Sequence, residues 1–119
     1  MARPKPSPRY LDTPTRKERS MRQENGFAAA LNGRRVPGSG AFEGILGDVS
    51  TKDHLIECKT TTRRSFSITV PLLEKIEEQA FANRKTPAFG VTFEEKKAGQ
   101  KDWVLIPLHV FASLINALD

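Results

Sequence analysis

Gly47-Asp48-Val49 and Leu55-Ile56-Glu57-Cys58-Lys59-Thr60 are two short apolar segments with charge embedded in them. They are separated only by the polar stretch Ser50-Thr51-Lys52-Asp53-His54. Successive side chains of a strand alternate faces. Leu55, Glu57 and Lys59 therefore share one face, and Ile56, Cys58 and Thr60 share the other. A hairpin through the polar stretch would return Glu57 beside Asp48. Two carboxylates and an ammonium would then meet in one small space. Such a set suits a hard divalent cation held against a phosphodiester, because Mg²⁺ takes oxygen ligands and completes its shell with water and substrate phosphate.

The rest of the chain bounds this reading. Its 119 residues give room for one modest core. No apolar run approaches the roughly 20 residues of a membrane span. The basic, proline-containing N-terminus has no apolar stretch of the secretory kind. The single cysteine, Cys58, cannot form an internal disulfide, which points to a reducing, cytoplasmic setting. Residues 1–35 carry nine Lys or Arg against three Asp or Glu, whereas residues 36–119 carry ten against eleven. The excess positive charge thus precedes the acidic segments. A basic arm beside a cation-ready pocket points to a polyanion such as nucleic acid, with a solubilising tail as the plain alternative.

Pro4, Pro6, Pro8 and Pro14 mark residues 1–14 as an extended, flexible basic arm, and residues 15–119 as one folded domain. Helix formers run from Arg16 to Leu31, with Met21, Ala28 and Leu31 as the expected apolar face and Asn32-Gly33 as the stop. Arg34 to Phe42 reads as a glycine-rich loop. Phe42–Val49 and Leu55–Thr61 read as strands. Thr69 is a candidate N-cap for a helix over Val70–Asn83, with Pro71 in its first turn and Leu73, Ile76 and Ala80 as its buried stripe. Ala88–Phe93 and Trp103–Leu108 read as strands, separated by the charged stretch Glu94 to Asp102, in which Gly99 marks a turn. A short helix follows over Val110–Leu118. The expected fold is α/β, a mixed central sheet flanked by helices, with the Ala88–Phe93 strand parallel to the Glu57 strand. Phe81, Phe89, Trp103 and Phe111 are expected in the core or a dimer interface.

In this order the blocks resemble the PD-(D/E)xK nuclease superfamily, and within it the archaeal-type Holliday-junction resolvases and their phage-encoded relatives. The resemblance rests on Gln23-Glu24, on Leu31-Asn32-Gly33 leading into Arg34-Arg35-Val36-Pro37-Gly38-Ser39-Gly40-Ala41, on Gly47-Asp48-Val49, and on Leu55 to Thr61. It spans roughly residues 17 to 110. An acidic residue followed by Glu-x-Lys is a weak pattern alone; its order and flanks strengthen it. The proline common before the first aspartate is absent, and Gly47 stands there.

The resemblance implies a restriction-endonuclease-like core and a Mg²⁺-dependent endonuclease, with Mn²⁺ as substitute. Asp48, Glu57 and the backbone carbonyl of Cys58 would hold the cation, joined by Glu24 from the first helix; Glu18 is the rival helix carboxylate. Lys59 would orient the attacking water or stabilise charge on the phosphate. Ser39 would touch a phosphate from its loop, although simple turn chemistry also explains it. Arg34, Arg35, Arg63 and Arg64 read as phosphate contacts, with Lys52, Arg84 and Lys85 as weaker ones; each alone is an ordinary surface charge. The implied partner is branched double-stranded DNA, a four-way junction cut by a homodimer, in host cytoplasm if the chain is phage-encoded. No nucleotide-cofactor fingerprint and no zinc ligand set is present. The competing readings are a nicking or repair nuclease of the same superfamily, a non-catalytic DNA-binding protein on that scaffold, and a protein-interaction factor.

Overall fold

The computed structural model describes residues 13–36, 49–95 and 99–118. The first helix, α1, spans Arg16–Leu31. Thr15 starts it through a capping box. The Thr15 hydroxyl accepts from the Glu18 backbone N–H at 3.1 Å, and the Thr15 N–H donates to Glu18 Oε1 at 2.9 Å. Asn32 ends it in the left-handed region, φ 55°, as the Asn-Gly stop predicts.

Two short strands follow, β1 (Arg34–Arg35) and β2 (Val49–Ser50), then β3 (His54–Thr61). Helix α2 spans Val70–Ala82, and Thr69 caps it by accepting from the Leu72 N–H at 3.3 Å. Strands β4 (Thr86–Glu95) and β5 (Gly99–Leu105) precede the last helix, α3 (Leu108–Leu118). The strands form one mixed sheet in the order β1-β2-β3-β4-β5. β3 and β4 run parallel, joined by the segment that contains α2, and the other neighbours are antiparallel. Among the described residues the chain is thus an α/β fold of five strands and three helices, and none of those helices is long and apolar enough to cross a membrane.

The core lies on both sides of β3 and β4. On one face Phe27 of α1 packs with Val49, Ile56, Cys58 and Ala88. Gly90 sits beneath that ring: a Cβ there would fall 2.4 Å from Phe27 Cε2. On the other face α2 covers the sheet, with Ile76 and Ala80 buried above it together with Leu55 and Phe89. Phe66 adds a tilted ring contact to Phe89, centroids 5.5 Å apart.

Three expectations need correction. The buried residues of α1 are Gln23, Glu24 and Phe27, while Met21 and Leu31 are exposed. The helix turns toward the sheet a face on which polar groups find partners, and pure apolar spacing cannot register that. Arg34-Arg35, read as loop, form β1 because their backbones pair with Ser50 and Val49. The strands reach further into the charged stretch than expected: β4 runs to Glu95 and β5 starts at Gly99, ending at Leu105 instead of Leu108. Cross-element pairs carry the charge there. Arg22 and Arg19 both meet Glu94, Arg64 lies 3.4 Å from Glu95, and buried Thr92 donates to Asp102 Oδ1 at 2.6 Å. Of the aromatics expected in the core or a dimer interface, Phe89 is core, and Phe81, Trp103 and Phe111 are exposed on the protomer. The expected strand over Phe42–Val49 lies outside the described residues up to residue 48.

Candidate active site

β3 builds the site from a buried strand. Leu55 to Cys58 are all buried, and the side chains alternate as the sequence requires. Cys58 joins the cluster beneath Phe27, so Glu57 and Lys59 leave the strand on the face away from that ring. Glu57 is only 5% exposed. Lys59 Nζ lies 3.8 Å from Glu57 Oε2, with the ammonium half in solvent. A carboxylate buried this deeply requires a compensating charge or donors, and Lys59 supplies one.

α1 brings a second carboxylate. Glu24 is 7% exposed, and Arg35 Nε donates to its Oε1 at 3.0 Å. Its neighbour Gln23, 2% exposed, anchors the helix to the sheet. The Gln23 amide donates to the carbonyl of Lys59 at 2.8 Å and approaches that of Gly90 at 3.4 Å. Gln23 therefore ties the helix bearing Glu24 to the strand bearing Glu57. Gln23 Oε1 is buried without a hydrogen-bond partner. Sequence reading gave Gln23 no role; its place beside Glu24, one turn before Phe27, was the available signal. Glu18 is fully exposed and engaged in the helix cap, whose hydrogen bonds from Thr15 hold its carboxyl below the usual value. Burial thus separates Glu24 from its rival.

The antiparallel hairpin is present, with Val49 opposite Ile56 and Ser50 opposite Leu55. Asp48 and Ser39 lie outside the described residues. Among the described residues no three His, Cys, Asp or Glu side chains converge on a common point. Glu57 and Glu24 each offer oxygen donors of the kind a hard cation takes, but they sit on opposite faces of β3.

The basic candidates divide between the two ends of β3. Arg34, Lys52 and Lys85 line one cavity with Asn32, Gly33, Ser50 and Thr51. Lys85 Nζ donates to the Thr51 carbonyl at 2.6 Å and to the Ser50 hydroxyl. Arg63 and Arg64 follow the other end of β3, about 23 Å away for a strand of this length. Arg63 is exposed, and Arg64 pairs with Glu95. Arg35 is engaged by Glu24, and Arg84 sits exposed after α2 at φ 57°. The apolar cleft lined by Leu73, Ile76, Phe89 and Leu105 has no grouping of ligands and stands apart from this chemistry. Comparison with family models, curated proteins and solved structures finds no match to this chain.

Proposed function

We propose that the chain is a Mg²⁺-dependent endodeoxyribonuclease on a restriction-endonuclease-like core, acting as a homodimer on four-way DNA junctions. The observation that carries the reading is the buried Glu57 carboxylate with Lys59 beside it on one face of β3. In this reading Asp48, next to Val49 in the sequence, acts together with Glu57 and Lys59. Asp48, Glu57 and the Cys58 carbonyl would hold the cation, whereas Glu24, proposed from the resemblance as a further ligand, sits on α1 against the opposite face of β3 and pairs with Arg35. A bound Mg²⁺ supplies a lowered water pKa and neutralises charge developing on the phosphate. Lys59 orients the water and stabilises the phosphate oxygens. Water forms the new P–O bond in line and the bond to the 3′ oxygen breaks. The products are 5′-phosphate and 3′-hydroxyl ends. Ser39 contacts a neighbouring phosphate. Paired cuts at a symmetric junction call for two matched centres, hence the two-fold dimer.

The test is cleavage of four-way junction, linear duplex and single strand across a Mg²⁺ and Mn²⁺ titration. Wild type should cut the junction first, and Glu57→Gln or Asp48→Asn should lower the rate by about 100-fold or more while the fold and junction binding persist. Equal cutting of all three substrates would leave a nuclease but remove the junction claim. One observation favours a second reading, a DNA-binding protein that does not cut: Arg35 already neutralises Glu24. Tight junction binding without cleavage in either metal would decide for it.

A further inference from the structure

α3 is the least charged part of a highly charged protein. No Asp, Glu, Lys or Arg occurs from Trp103 to Leu118, although such residues make up 28% of the chain. A helix this apolar ordinarily lies against a core. None of the residues of α3 is buried. At about 100° per residue, Leu108, Phe111, Leu114, Ile115 and Leu118 fall within an arc of about 120°. All five are exposed, while the half-buried Val110 lies about 40° beyond one edge of that arc. His109, Ser113 and Asn116 form a separate polar strip. Just before this helix, β5 forms an edge of the sheet, and its Trp103 is 65% exposed.

We propose that this face, α3 together with the β5 edge, is the contact between two copies of the chain. The choice of partner rests on the two-fold dimer of the proposed function; the exposed face itself does not. Three observations favour a second copy. The apolar side chains on α3 and Trp103 together expose on the order of 700 Å², near the ~800 Å² per partner of a stable interface. The protein carries a net charge of +5, so self-contact is least repelled where no charge lies, as from Trp103 through α3. An edge strand can pair antiparallel with its own copy about a two-fold axis, satisfying the same backbone groups on both. A DNA backbone would find no cation from Trp103 through α3, and an interfacial membrane helix would ordinarily carry Lys or Arg on its polar side, which this one lacks.

The experiment uses the full chain in sedimentation and in fluorescence. Trp103 is the lone tryptophan, so its emission reports this face alone. Across about 1 to about 100 µM protein, a range that brackets ordinary dimer affinities, mass should rise to that of a dimer and the emission should shift to the blue. Phe111→Glu with Ile115→Glu should weaken association by about 100-fold or more and leave the circular dichroism unchanged, since neither side chain is buried in the protomer. A wild type that stays monomeric with constant emission overturns the proposal, as does a dimer indifferent to both glutamates. Emission that shifts on added lipid vesicles without dimerisation overturns it in favour of a membrane. Should the variant fail to fold, the wild-type concentration series still decides. A dimer that never cuts DNA would sink the nuclease and keep this interface; a monomer that cuts junctions would do the reverse.

Discussion

Glu24 and Arg35 form the ion pair whose removal is most informative. The carboxylate is buried and the guanidinium half-exposed, so the pair sits between the surface and interior regimes. Removing only the cation leaves a buried carboxylate without its guanidinium. Arg35→Ala should therefore cost about 1–2 kcal/mol in urea unfolding, discounted for the exposure of the arginine, and Glu24→Gln in that background should recover part of it. An unchanged midpoint would mean the pair contributes nothing. The sequence shows both residues but not their meeting, since eleven positions and a helix stop lie between them. Glu57 and Lys59 were legible for the opposite reason. Their spacing of two within a strand places them on one face whatever the rest of the chain does.

Elements were legible where a local signal fixes them. Thr69 and Pro71 announce the start of α2, and Asn32-Gly33 announces the end of α1. The cap at Thr15 gives a pH test. The cap holds the Glu18 carboxyl below its ordinary 4.5, so the charged form is favoured by folding. That contribution is present above pH 4.5 and is lost as pH falls through the lower folded value. The melting temperature of Glu18→Gln should fall below wild type at pH 7, and the gap should narrow as pH falls below 4.5, as thermal melts would show. Where an element depends on distant partners, local signals fail. β1 exists because β2 pairs with it, and the far end of β4 because arginines elsewhere neutralise its glutamates. Packing between α1 and β4 makes a further test. Gly90→Ala would drive a methyl into the Phe27 ring and should destabilise the protein by about 1–3 kcal/mol in urea unfolding, a loss that Phe27→Leu in the same chain should partly relieve.

At the scale of the molecule, sequence order predicts a mixed sheet with parallel β3 and β4, and the coordinates have that sheet. What the order cannot convey is which apolar segments stay outside the core. Trp103 and Phe111 have the composition of core residues and the exposure of surface ones. Charge is distributed differently. Arg34, Lys52 and Lys85 gather at one end of β3, while Arg63 and Arg64 stand at the other. If DNA lies along both groups, replacing Lys52 or Arg63 by glutamine should each lower the slope of log affinity against log salt by about 1, measured by junction binding at several salt concentrations. A change at only one of them would confine the DNA to that end.

The parallel seam between β3 and β4 has a consequence for how the protein comes into being. His54 pairs with Thr86 and Thr61 with Phe93, so neither end of β3 gains this neighbour until a long crossover has been laid down. A nascent chain halted after α2 would already contain all the acidic residues proposed to grip the cation, yet lack the strand that holds their backbone still. Chemistry would then switch on only once translation had passed the last residues of β4, so the ribosome would never carry a half-made cutter of DNA.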